Sequence, residues 1–169
     1  MFFELNYGLS EFPEGAKTIR RRAARAVIQK DESVLMILTN KGDYKFPGGG
    51  FKDNETVEQC LKRELLEETG YSLTKVGQCI GRALEQNPDK FEEGSYFSIM
   101  SEYYLCTIDG MSQAEQMLDD YEQKQAFRPV FVDVQKAADN NEGLLNGNSG
   151  SINQWVKRET EVLKQLLNK

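Results

Sequence analysis

The stretch 48-GGGFKDNETVEQCLKRELLEETGY-71 combines three glycines, a helix pattern and a group of glutamates. Thr56 opens the pattern T-V-E-Q of a helix capping box, and Gly70 stands where a left-handed residue often ends a helix. The sequence therefore predicts a helix from 57 to 69, preceded by three consecutive glycines.

One face of this predicted helix changes from apolar to acidic. At about 100° per residue, six side chains fall in one sector. They are Val57, Cys60, Leu61, Glu64, Glu67 and Glu68. Carboxylates turned toward a core repel one another and are costly to bury without positive charge. A divalent cation would supply that charge, and magnesium or manganese suits three carboxylates better than zinc does.

A plainer interpretation of the helix is a solvated acidic face with Lys62 and Arg63 as local partners. The glycine loop 46-FPGGGFKDN-54 favours a site instead, because glycines let a backbone approach a metal or phosphate closely. A tight connection chosen only for its geometry is the alternative for this loop.

The same residues carry a resemblance to a known family. The pattern G-x5-E-x7-R-E-U-x-E-E-x-G-U, with U a bulky aliphatic residue, is matched at every spacing except that Tyr71 replaces the last aliphatic residue. The matching residues are Gly49, Glu55, Arg63, Glu64, Leu65, Glu67, Glu68 and Gly70. On this box, residues 49–71 resemble the Nudix (MutT-like) hydrolases.

The resemblance implies a fold and a reaction. The expected fold class is α/β (α+β), as a Nudix-type α/β/α sandwich around a mixed β-sheet. The expected reaction is hydrolysis of a pyrophosphate bond in a nucleoside diphosphate linked to another group, with Mg²⁺ or Mn²⁺ as cofactor. The implied partner is a small nucleotide or polyphosphate, and the family also allows a homodimer.

The resemblance also assigns roles within the box. Glu64, Glu67 and Glu68 are the implied metal ligands, with the Gly48 carbonyl as a further one, and Arg63 is expected to hold the carboxylates. Glu55 is expected to pair with Arg63 or to serve as a helix-start charge, and Gly70 is structural.

A carboxylate is expected to take the proton from the attacking water. Glu64 is the first candidate. In this family the base can also come from a loop outside the box, which makes Glu115 and Glu122 further candidates. The plainer interpretation of both is a solvated helix charge.

Cations and glycines near the strand ends are candidates for substrate binding. They are Arg20, Arg22, Arg25, Lys45, Gly49 and Gly50. Phe46 could stack on a base, although aromatic residues on strands are more often core residues. A solvated basic edge is the alternative for the arginines, and the sequence does not choose a substrate branch.

Composition excludes several classes of protein. The 169 residues contain no histidine and carry a formal net charge of −6, which excludes Ser-His-Asp chemistry and argues against broad nucleic-acid binding. Three cysteines without a CxxC pair favour a reducing cytoplasm over a disulfide framework. No apolar run is long enough for a membrane span, and the amino end does not resemble a secretion signal.

Strand and helix patterns alternate along the chain. We expect a leader or edge segment over 1–18 and a single Nudix domain over 19–169. Strands are predicted at 25–29 and 33–39 as a hairpin, and further strands near 73–84, 95–108 and 128–134. Helices are predicted at 112–126 and 151–168, and a loop at 140–150.

Two other functions remain as alternatives. A Nudix-like domain can sense a ligand or bind a partner without catalysis, although such domains usually lose acidic box residues or gain a DNA-binding domain. A calcium-binding structural module would need alternating acidic loop ligands, and the sequence has no such loop.

Overall fold

The computed structural model describes residues 2–89, 92–147 and 152–168, over which the chain forms nine strands and four helices. The strands are β1 (Phe3–Gly8), β2 (Lys17–Val27), β3 (Gln29–Lys30), β4 (Ser33–Leu38), β5 (Tyr44–Lys45), β6 (Gly48–Gly50), β7 (Tyr71–Pro88), β8 (Ser95–Gln113) and β9 (Arg128–Asp133). The helices are α1 (Val57–Thr69), α2 (Asp120–Lys124), α3 (Val134–Asn146) and α4 (Val156–Leu167).

The larger sheet is mixed, as predicted. Its five strands run in the order β1-β7-β8-β2-β6, with parallel pairing of β1 with β7 and of β2 with β8. Strand β1 lies at one edge, so residues 3–8 of the predicted leader are part of the sheet. The glycine strand β6 lies at the other edge and pairs antiparallel with β2.

The smaller sheet is antiparallel, and the predicted hairpin of 25–29 with 33–39 is correct only near its turn, because residues 25–27 belong to β2 of the larger sheet. Strands β3 and β4 pair through Gln29 with Val34 and Lys30 with Ser33, so Asp31 and Glu32 form the turn. Strand β4 also pairs with β5 and β9. Lys45 lies on β5, so pairing of β5 with β4 fixes its backbone. The glycine strand β6 follows after two intervening residues.

Helix α1 has the bounds predicted from its caps. The Thr56 hydroxyl accepts from the Gln59 amide at 3.2 Å, the Gln59 side chain accepts from the Thr56 amide at 2.9 Å, and Gly70 ends the helix with φ 74°. The capping box and the left-handed glycine are local signals, which is why sequence alone determined both ends.

The two faces of the larger sheet bury two separate cores. On one face, Ala24 and Ala26 of β2 pack with Cys60, Leu61 and Leu65 of α1. On the other face lies a second core, which includes Val27, Tyr103, Ala137, Ala138, Val162, Leu163 and Leu166. Helix α1 therefore covers one face and helices α3 and α4 cover the other, which confirms the α/β/α sandwich. None of the helices in the described ranges is long and apolar enough to cross a membrane.

The predicted loop at 140–150 is wrong over residues 140–146, which belong to α3. Asn141 is fully buried, where its side chain donates to the Tyr44 carbonyl and accepts from the Tyr44 amide, both at 2.9 Å. Tertiary contacts thus stabilise a helix that its asparagines and glycine do not favour. Residues 148–150 of that prediction lie outside the described residues.

The other two predicted helices are shorter than expected. Within 112–126 only Asp120–Lys124 is helical, because β8 extends to Gln113 and the following residues are irregular. Within 151–168 the helix begins at Val156, and Ser151 lies outside the described residues. Trp155 precedes α4, with its indole N–H donating to Asp43 at 2.7 Å.

Candidate metal and catalytic site

Three carboxylates meet at one point between α1 and the segment after β8. Glu64, Glu68 and Glu122 each place an oxygen so that all three lie within 4.8 Å of one another. Glu64 and Glu68 are buried, and Glu122 is half-buried. Oxygen donors at this spacing are the ligand type that magnesium and manganese prefer. A base candidate from outside the predicted box thus lies beside two of its glutamates.

Glu68 is held by two groups from the neighbouring strands. Its carboxylate accepts from the Gly48 amide at 2.8 Å and forms an ion pair with the Lys45 ammonium. Only 7% of the Lys45 side chain and 2% of the Glu68 side chain are exposed. The ammonium also lies 4.5 Å from the centre of the Phe127 ring. Lys45, predicted to bind substrate, here neutralises a predicted metal ligand.

Arg63 contacts three carboxylates of the predicted box. Its guanidinium forks onto Glu55 through contacts of 2.6 and 2.7 Å, and it contacts Glu64 at 2.5 Å and Glu67 at 3.3 Å. It also donates to the Gly50 carbonyl at 3.1 Å. The geometry brings together Arg63, Glu55 and Glu64 as the sequence predicted. Glu67 is 31% exposed and lies outside the group formed by Glu64, Glu68 and Glu122.

The ionisation of these carboxyls follows their surroundings. The hydrogen bond from Arg63 lowers the pKa of Glu55 to about 2. Burial raises the pKa of Glu64, against the opposing hydrogen bond from Arg63. Burial also raises the pKa of Glu122. Two members of the cluster therefore resist carrying negative charge unless a cation compensates it.

The glycine strand approaches the cluster closely. A Cβ added to Gly49 would lie 2.5 Å from the Glu64 carboxylate, so a side chain there would displace that carboxylate. Gly48 has φ 128°, a conformation that other residues rarely adopt. Its carbonyl, predicted as a metal ligand, accepts from the buried Arg25 guanidinium. The Nε atom of Arg25 is buried and has no hydrogen-bond partner in the described part of the chain.

The remaining candidates are dispersed. Arg20 and Arg22 are exposed and line a small cleft with Gly50 and Phe51 rather than joining the carboxylates. Arg22 pairs with Glu102 at 2.6 Å. Phe46 is fully buried and packs edge-on to Tyr103, the core role expected as the alternative to base stacking.

The segment that carries Glu122 is anchored on the C-terminal end of α1. The Gln116 side chain donates to the Glu68 carbonyl at 2.5 Å, and the Met117 amide donates to the Glu67 carbonyl at 2.9 Å. Glu115 is exposed and lies outside the group of three carboxylates. Sequence reasoning missed Gln116, because a lone glutamine in an irregular segment gives no pattern.

A cavity of about 1070 Å³ opens on the α4 face of the larger sheet. Its lining includes Tyr7, Arg21, Phe97, Lys157 and Arg158. Arg21 lies four residues from Arg25 on β2, so about 13 Å separates the two backbone positions along the strand. Because side chains alternate across a strand, both arginines belong to the face that α4 covers.

Comparison with known proteins gives matches over most of the chain. The NUDIX domain profile matches residues 19–155. An ADP-ribose pyrophosphatase of Methanocaldococcus jannaschii is 34% identical over 96 residues, which are 54% of this chain and 54% of that protein. An 8-oxo-dGTP diphosphatase of Proteus vulgaris is 42% identical over 60 residues, which are 34% of this chain and 51% of that protein. The chain thus spans about half the length of these two relatives.

Solved structures share the fold at low sequence identity. The mutator MutT protein of Bacillus halodurans has a TM-score of 0.54 and 14% identity, covering 88% of this chain and 83% of that one. A MutT NUDIX hydrolase of Burkholderia pseudomallei has a TM-score of 0.51 and 16% identity, covering 85% and 97%. At such identities these likenesses concern the architecture alone.

Proposed function

This chain belongs to the Nudix family, and we propose that it is a divalent-metal-dependent hydrolase. Its proposed reaction cleaves a pyrophosphate bond in a nucleoside diphosphate linked to another group. The observation that carries the proposal is the meeting of Glu64, Glu68 and Glu122 within 4.8 Å, two of them buried.

The donor set fits a magnesium or manganese ion. It consists of carboxylate oxygens, and the chain has no histidine that would favour a softer metal. Glu64, Glu68 and Glu122 would hold the ion, with Glu67 as a further ligand after a side-chain rotation. When bound, the ion would neutralise phosphate charge and polarise the phosphorus centre.

The chain's own residues would orient the reactants. Arg63 would keep Glu55 and Glu64 in place through the contacts described above. The Arg25 Nε–H, buried without a partner among the described residues, is a donor that a phosphate oxygen could accept from. Proton removal from the attacking water is proposed for Glu64 or, as the second candidate, Glu122.

The group joined to the diphosphate is proposed to occupy the cavity beside Arg21. The cavity lies about 13 Å along β2 from Arg25, whose guanidinium contacts the Gly48 carbonyl beside the carboxylates. The names of the two relatives make ADP-ribose and 8-oxo-dGTP the first compounds to assay. The three free thiols support the expectation of a reducing cytoplasm, and a homodimer remains a family expectation.

A panel of substrates tests the proposal. The protein is incubated with Mg²⁺ or Mn²⁺ and with ADP-ribose, 8-oxo-dGTP, nucleotide sugars or dinucleoside polyphosphates, and products are separated by ion-exchange chromatography. We expect turnover of at least one compound and its loss in chelator or in Glu67→Gln. Glu58→Gln, an exposed glutamate of the same helix, is the matched control and should retain activity. Activity that survives both chelator and Glu67→Gln would contradict the proposal.

A ligand-binding module without catalysis is the second candidate. The observation that favours it is the pairing of Lys45 with Glu68 and of Arg63 with Glu64, which already compensates part of the acidic charge. It predicts no turnover on the panel together with a rise in melting temperature when a nucleotide binds.

A further inference from the structure

The buried Lys45 is unusual because its ammonium meets the acidic cluster that the proposed function assigns to a metal. It lies on β5, where pairing with Ile37 of β4 fixes its backbone. Its side chain is 7% exposed, so the ammonium has little contact with solvent and depends on Glu68 for its counter-charge. The Phe127 ring, 4.5 Å away, packs against the charged end.

The ammonium contacts one oxygen of Glu68, while the Gly48 amide donates to the other oxygen at 2.8 Å. Both oxygens of a buried carboxylate are therefore engaged within the chain. A divalent cation that binds Glu68 must displace one of these donors or share an oxygen with it. The Gly48 amide is held in place because its strand pairs with β2, whereas the Lys45 side chain can rotate. Lys45 is therefore the donor that a bound cation displaces.

From these contacts we propose that Lys45 is an internal counter-ion that competes with the divalent cation for Glu68. Without metal, the ammonium compensates the buried charge and stabilises the fold. With metal bound, it leaves Glu68. The inference rests on the proposed function in one respect, because it takes this carboxylate cluster as the metal site.

Substitution of Lys45 by methionine tests the competition without substrate. Methionine is unbranched and only one atom shorter than lysine, so it keeps an apolar contact with Phe127 but removes the charge. Mn²⁺ affinity is measured by electron paramagnetic resonance, and melting temperature is measured in chelator. Removing a cation beside a ligand carboxylate should tighten Mn²⁺ binding about tenfold, or about 1.4 kcal/mol. The metal-free melting temperature should fall by roughly 10 °C, because Glu68 loses its buried partner.

Lys30→Met is the matched control. Lys30 is exposed on β3 and its loss changes the net charge equally, so its Mn²⁺ affinity should equal that of the wild type. Unchanged or weaker binding in Lys45→Met, equal tightening in both variants, or no Mn²⁺ binding by any of the three proteins would overturn the inference.

The wild-type protein gives a second measurement that does not depend on a variant folding. In protein labelled with ¹⁵N and ¹³C, the Lys45 Nζ resonance, assigned by through-bond correlation with the side-chain carbons of Lys45, should shift when Mg²⁺ is added. A resonance that stays in place while the backbone amides of α1 report saturation would refute the competition. Turnover with unchanged Mn²⁺ affinity would sink this inference alone, whereas tightened binding without turnover would sink only the proposed catalysis.

Discussion

Replacing Arg63 by methionine removes the cation that three carboxylates share. The guanidinium contacts Glu55 at 2.6 and 2.7 Å and Glu64 at 2.5 Å. Removing one partner of a buried ion pair costs about 3–5 kcal/mol. The Arg63 and Glu55 side chains are 18% and 15% exposed, so we expect a loss between the values for surface and buried pairs, about 2 kcal/mol in the free energy of unfolding.

The loss should depend on pH in a defined direction. The pKa of Glu55 is lowered from 4.5 to about 2 in the folded protein, and Arg63 is the main cause. A carboxyl with a lowered pKa stabilises the fold fully above its unfolded value and loses that contribution as pH falls toward its folded value. The difference between wild type and Arg63→Met should therefore shrink by about half between pH 7 and pH 3.

Urea unfolding in chelator at both pH values measures this difference. Lys62→Met, an exposed neighbour on the same helix, should change the free energy of unfolding by less than about 0.5 kcal/mol. A difference for Arg63→Met below about 1 kcal/mol at pH 7, or one that is equal at both pH values, would refute the role assigned to Arg63.

Two further predictions concern the positions of the carboxylates. Gly49→Ala places a methyl group against Glu64, so kcat/KM should fall by about a hundredfold with an unchanged circular dichroism spectrum. Full activity would show that the close approach of β6 is incidental. Glu122→Gln should lower kcat by about a hundredfold, whereas Glu115→Gln, which alters an exposed side chain, should leave it unchanged. Equal kcat values for these two variants would remove Glu122 from the site.

The elements that sequence predicted well are those with local causes. Helix α1 begins and ends at capping residues, and the continuous apolar run from Val34 to Leu38 forms β4, with four consecutive positions buried. Helix α3 was mispredicted because Asn141 is stabilised through hydrogen bonds with Tyr44, 97 residues away in the chain. Local propensity carries no information about such a partner.

The candidate site also contains residues whose positions follow from local sequence and residues whose positions depend on tertiary packing. Arg63 and Glu64 follow from residue spacing on one helix, so the box predicted their proximity. The ion pair of Lys45 with Glu68 depends on how β5 packs beside α1, and the position of Glu122 depends on where the segment after β8 docks. Neither arrangement has a periodic signal, and the sequence therefore yielded candidates without their partners.

Crystals soaked in Mn²⁺ and measured at its absorption edge show whether Glu64 and Glu68 bind a metal ion. We expect an anomalous peak bound by the carboxylates of Glu64 and Glu68, with the Lys45 ammonium moved away from Glu68. Those carboxylates directed into solvent, with no peak between them at saturating Mn²⁺, would contradict this expectation.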